Sequence, residues 1–144
     1  MTRILTYLIL LNILTSCQTK ETNPILLSKI QAFAPLNGSS IGIAYMNIKN
    51  TSDQSITLNN FSSPQFSSVS LHESLLSEGV IKMKHIEKLV IDSGEEIILK
   101  QGGKHLMLNN NLDFLEINDV IQINISHSYG TTIASSKLLN RSFN

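Results

Sequence analysis

From residue 41 onward the chain is a succession of short runs in which apolar and polar positions alternate, separated by clusters of Asn, Ser, Thr, Asp, Gly and Pro. "IGIAYMNIKN" (41–50) ends at an Asn-Thr-Ser-Asp turn, and "SITLNNFS" (55–62) ends before Pro64. The runs "FSSVSLHES" (66–74), "GVIKMKHIEK" (79–88), "EIILKQ" (96–101), "KHLMLNN" (104–110), "VIQINISHS" (120–128) and "TTIASSKLL" (131–139) follow. A period of two is that of a strand, whose successive side chains point to opposite faces. None of these runs keeps a helical period over eleven or more residues. Many short strands with turn signals between them predict an all-β domain, an antiparallel β-sandwich or Greek-key barrel. Tyr129-Gly130 is read as the turn of the last hairpin.

The same alternation assigns faces. In the 104–110 run Leu106 and Leu108 point to the core while His105 and Met107 share the other face. In "VIKMKHI", Ile81, Met83 and His85 share one face and Lys82 and Lys84 the other, so periodicity alone makes Met83 a core residue. Met46 is read as core, and His127, near the last turn, as a surface residue. The double glycine Gly102-Gly103 is suited to a tight turn that aims His105.

The first forty residues read differently. Arg3 followed by the apolar stretch "ILTYLILLNIL" (4–14) has the form of an export signal, too short to span a bilayer as a helix. "LTSC" (14–17) matches the bacterial lipobox, which would make Cys17 the lipidated first residue of the mature chain. The alternative is an ordinary signal cut near Ser16 that leaves Cys17 as a free thiol. The expected organisation is a lipoprotein signal peptide over 1–16, a lipid anchor and tether over 17–40, part of which is suited to an edge strand, and one domain over 41–144. Gln18, in place of an aspartate after the lipidated cysteine, points to the outer membrane rather than inner-membrane retention. In such a bacterial chain the Asn-x-Ser/Thr sequences at Asn50 and Asn124 carry no information about glycosylation.

Composition narrows the function. Lys plus Arg and Asp plus Glu are both 11, so there is no basic field to hold a nucleic-acid backbone. Cys17 is the only cysteine. Once lipidated it leaves no thiol for a disulfide, and any soft-metal site must be built from Met and His. The cysteine thiolate of a blue-copper electron-transfer site is therefore excluded from the domain. No nucleophile and base pair, paired carboxylates or glycine-rich phosphate loop marks an enzyme.

What stands out is a spacing. His72, ten residues, Met83, twenty-one residues, then His105-x-Met107 makes a His-x10-Met-x21-His-x-Met pattern. Together with "GGKHLML" and "AYMNIKN" it resembles the periplasmic copper chaperones of the PCuAC type, over about 41–120. The resemblance implies a cupredoxin-like β-sandwich that binds one Cu(I) per chain through His72, Met83, His105 and Met107. It also implies a monomer that receives copper from a donor protein and passes it to an acceptor, the copper centre of a haem-copper (cytochrome c) oxidase subunit. The chain departs from the family in having Glu73, where some members place a methionine after the first histidine, and Gln101 where some have proline before the glycines. Neither removes a ligand, though Glu73 adds negative charge nearby.

The donor types suit the cargo without the family name. Thioether sulfur is soft and neutral and suits Cu(I), and imidazole suits copper in either oxidation state. Avoiding thiolates also avoids disulfide formation outside the cytoplasm, at the cost of exposing Met83 and Met107 to sulfoxide formation. His85 shares the face of Met83 and is read as an auxiliary ligand or a structural or solvated histidine. A copper scavenger using the same site, and a metal-free structural or adhesive β-sandwich lipoprotein, are the competing functions. If Cys17 carries the anchor, Cys17→Ser releases the protein from the membrane fraction with copper stoichiometry unchanged. A variant that stays membrane-bound contradicts the lipobox reading.

Overall fold

The computed structural model describes residues 23–36, 38–111 and 115–141; the expected signal peptide 1–16 and Cys17 lie outside them. In chain order the strands are β1 (Ile25–Phe33), β2 (Ile41–Asn50), β3 (Ile56–Ser62), β4 (Phe66–Ser77) and β5 (Val80–Ile86), then β6 (Leu89–Ile91), β7 (Glu96–Leu99), β8 (Lys104–Asn111), β9 (Val120–His127) and β10 (Gly130–Leu139). Among the described residues there is no helix.

The strands join in the order β5-β4-β8-β2-β1-β10-β9-β3-β6, with β7 pairing the second half of β2. All pairs are antiparallel except β1 with β10, which run parallel at Ala32↔Leu138 and Phe33↔Leu139. The sheet is therefore mixed rather than purely antiparallel. Met46, Ile48, Leu71, Leu106 and Leu108 of one arm and Ile56, Leu58, Ile121, Ile123, Ile125 and Leu138 of the other are fully buried in one cluster. That is the core of an all-β, cupredoxin-like sandwich.

Three expectations change. The strand expected at the sheet edge before residue 41 is an inner one, because β1 lies inside the sheet between β2 and β10 and buries Ile25 and Ala32. Its alternation is hidden by a bulge between Ser28 and Gln31, where Lys29 has φ of 51°. The 79–88 run ends as β5 at Ile86, and β6 then pairs with β3 in the other arm. His127 is buried rather than on the surface, since the period of two in β9 sets it on the core face with Ile121, Ile123 and Ile125. The backbone N–H of Tyr129 donates to His127 Nδ1 (3.3 Å), which leaves Nε2–H to donate to Thr132 Oγ1 (3.1 Å). Burial lowers the pKa of His127 from its ordinary 6.5.

Asn50 closes the loop after β2. It is fully buried, and its Nδ2 lies within hydrogen-bond distance of the carbonyls of Gln54, Ile91 and Asp92, while Ser52 N–H and Oγ–H both donate to its Oδ1. Asn50→Ala strands several of these buried groups at once. It should cost roughly 2–3 kcal/mol of folding stability in denaturant titrations, and a loss near zero would show that water replaces the amide.

Candidate metal centre

The candidate ligands stand on the face of the first arm that turns away from the core. In β4 Val69 and Leu71 point inward, so Ser70, His72 and Ser74 point outward; in β8 Leu106 and Leu108 point inward and His105 and Met107 outward. Register then decides which of them meet. His72 is paired with His105 on one side and with His85 on the other, so three imidazoles lie in a row across β5, β4 and β8. The ring centres of His72 and His105 are 6.2 Å apart and those of His72 and His85 5.1 Å.

The methionines flank this row on opposite sides. Met83 is paired with Ser74 and Met107 with Ser70. Each is thus a diagonal neighbour of His72, a separation of about 7–8 Å between backbones that long side chains can span. The fold brings His72 and His105 directly together and each methionine beside them, but it does not make Met83 and Met107 neighbours of one another. Met83 is 60% exposed rather than in the core, because β5 is an edge strand lying beyond the packed interior. It shares a hollow of about 420 Å³ with Ile43, Tyr45, Gly102, His105 and Arg141.

The two central histidines are held differently. His105 is buried, and its Nδ1 lies 3.0 Å from the carbonyl oxygen of Gly103. A carbonyl only accepts, so Nδ1 carries the proton and Nε2 keeps its lone pair, the tautomer in which histidines commonly bind metals. The double glycine supplies that carbonyl. Gly102 turns the chain with φ of 73°, Gly103 N–H donates to Lys100 O, and Gly103 O also accepts from Ser74 N–H. His72 Nε2 lies 3.0 Å from Ser70 Oγ, and its Nδ1 is buried with no partner. When Nε2–H donates to Ser70 Oγ, Nδ1 is the unprotonated nitrogen and its lone pair has no hydrogen-bond donor, a condition a bound ion would relieve. Ser70 and the Gly103 carbonyl were not among the sequence candidates; Ser70 was discoverable, since it lies two positions before His72 on the same face.

Glu73 does not add its charge to the row. Glu73 points to the opposite face from His72, between Lys84 and Lys104, and pairs with Lys104 Nζ at 2.8 Å. Its negative charge is therefore taken up away from the histidines. Among the described residues no three or more His, Cys, Asp or Glu side chains already converge on one point suited to a metal. An ion bound here must draw on thioethers as well, or on movement of an exposed ring.

Comparison with known proteins gives the setting. The family described as "Putative lipoprotein LpqE-like" matches residues 25–123. No curated protein matches the chain in sequence. Among solved structures, the copper-bound PCuAC domain from PmoF2 is similar at TM-score 0.68 and 17% identity, covering 83% of this chain and 95% of that one. The apo PCuAC domain from PmoF1 gives 0.67 and 16%, covering 84% and 98%. The solution structure of Cu(I)-bound DR1885 from Deinococcus radiodurans gives 0.65 and 24%, covering 83% and 81%. At these identities the likeness establishes the fold.

Desolvation first, then the neighbouring His85 and His105, lower the pKa of His72 from its ordinary 6.5. As pH falls the unfolded chain therefore takes up the proton before the folded one. The stability of the metal-free protein should be full above about pH 6.5 and decline as pH drops toward the lowered folded value, with His127 acting in the same direction. Denaturation midpoints at pH 7.5 and 5 test this: the midpoint should fall in acid, and less so in His72→Gln. An unchanged midpoint would contradict the burial of neutral imidazoles.

Proposed function

We propose that this chain, which belongs to the LpqE-like family, is an extracytoplasmic copper carrier that holds one Cu(I) through His72, Met83, His105 and Met107. The observation that carries this reading is the paired imidazoles of His72 and His105, one with a buried unpartnered nitrogen and both flanked by thioethers. The fold agrees with it, since the PmoF2 domain and DR1885 share that fold and are copper-bound.

The donor set accounts for both capture and release. Two neutral imidazoles and two neutral thioethers satisfy a soft monovalent ion without cancelling its charge, so they hold it less tenaciously than thiolates would. His105, buried and oriented by Gly103, forms the fixed end of the site. Met83, on the exposed edge strand, forms the mobile end and is the first ligand an incoming donor on a partner can replace. Transfer by ligand exchange then passes the ion outward across β5 without free copper being released.

The setting follows from the N-terminal reading. Export and lipidation at Cys17 tether the domain outside the cytoplasm, with Gln18 favouring the outer membrane. The acceptor suggested by the PCuAC resemblance is a copper centre of a cytochrome oxidase subunit.

The test is a Cu(I) titration of residues 18–144 under anaerobic reducing conditions against a chromophoric chelator, with a His105→Ala, Met107→Ala double variant alongside. The parent should bind one equivalent, and the variant should lose affinity by about a hundredfold or more. A folded parent that binds no Cu(I) would overturn the reading in favour of a metal-free structural lipoprotein.

A further inference from the structure

Five large apolar side chains, Leu75, Leu76, Val80, Ile81 and Met83, stand exposed on the one hairpin of β4 and β5, with Leu76 and Ile81 at 76% and 70%. A concentration of this kind marks an interaction site. β5 is also the terminal strand of its arm and, among the described residues, pairs only with β4. We propose that a partner protein docks here by strand addition, laying along β5 an extended segment with apolar side chains on one face and carboxylates on the other.

The backbone of β5 is ready for such a strand. Glu78 and Gly79, with φ of 55° and 77°, form the two-residue turn of the hairpin, which makes Ser77 and Val80 a hydrogen-bonded pair. Bonded and non-bonded pairs then alternate along the ladder, so Ser74 and Met83 are a non-hydrogen-bonded pair. Ser74 agrees, since its N–H donates instead to the Gly103 carbonyl on the β8 side. The N–H and C=O groups of Ile81, Met83 and His85 therefore point outward from the sheet, a row of donors and acceptors open to another strand.

Charge selects the occupant. Lys82 and Lys84 lie on the face opposite Met83, and neither has an ion-pair partner among the described residues, whereas the nearby Glu73 is taken by Lys104. A second copy of β5 set antiparallel about Met83 would place Lys82 against Lys84, a like-charge pair that opposes self-association. A strand with Asp or Glu at those positions meets each lysine with an opposite charge, while its intervening apolar residues cover Ile81 and Met83 on the other face. Main-chain bonds then supply affinity and the lysines supply specificity. The surface needs no bound ion.

The test uses the Cys17→Ser protein, so that no acyl chain contributes, with two end-capped fluorescent peptides that alternate valine with glutamate or valine with lysine. By fluorescence anisotropy the glutamate peptide should bind, and the lysine peptide should bind about tenfold or more weakly. Amide hydrogen exchange at Ile81, Met83 and His85 should slow in the complex, with no change in β6 at the opposite edge. The Lys82→Glu, Lys84→Glu double variant should reverse the preference between the peptides. Ile81→Pro removes an outward N–H that β4 does not use and should weaken the glutamate peptide about tenfold; an unchanged circular dichroism spectrum verifies that both variants fold. Equal binding of the two peptides, or β5 amides that exchange alike with and without the glutamate peptide, would overturn the proposal. So would a dimer that Ile81→Pro dissociates, which would make a second copy the occupant. Binding to phosphatidylethanolamine and phosphatidylglycerol vesicles without peptide binding would likewise overturn it and assign the patch to a lipid surface.

Discussion

Everything on the candidate site depends on the register between β4 and its two neighbours. Val69 is paired with Leu108 and Leu71 with Leu106, and all four side chains are buried in the core. Because side chains alternate, a slip of one residue would drive His72 and His105 inward and push these apolar residues into water. The hydrophobic pairs that stabilise the sandwich therefore also hold the two imidazoles opposite each other on the outer face. No polar interaction between the histidines is needed to bring them together; one nitrogen of each is engaged by Ser70 Oγ or the Gly103 carbonyl, and the other is left for a ligand.

The surroundings of that row favour neutral ligands. Desolvation and the neighbouring His85 and His105 lower the pKa of His72, the Gly103 carbonyl fixes the tautomer of His105, and the acidic Glu73 is paired with Lys104 on the other face. Such a row suits a cargo better than a permanent structural ion. The rigid members sit over the core while Met83 stands on an unpaired sheet edge, a gradation that matches a site which must open toward a partner.

Much of this was legible in the sequence. The runs at 41–50, 66–74, 104–110 and 120–128 correspond to β2, β4, β8 and β9, because each buries one face and so shows a clear period of two. The inward positions of Met46, Leu106 and Leu108 followed from the same period. What failed did so where alternation is broken or misleading. The bulge at Lys29 broke the alternation of β1, so that it read as part tether and part edge strand, and the edge position of β5 exposed Met83 although its alternation resembles that of a core strand. For His127 the period was present, continuing from Ile121, Ile123 and Ile125, and the polarity of the residue outweighed it. The spacing of His72, Met83, His105 and Met107 picks out residues of one face, but only the pairing of strands reveals that the histidines, not the methionines, lie at its centre, with His85 beside them.

The most direct measurement is X-ray absorption at the copper edge of the Cu(I)-loaded protein. The account predicts a coordination shell of two sulfur and two nitrogen scatterers, reduced to one sulfur and two nitrogens in Met83→Ala. A shell without sulfur, or one unaltered by loss of Met83, would contradict the claim that this face holds Cu(I) between its imidazole pair and the thioethers on either side.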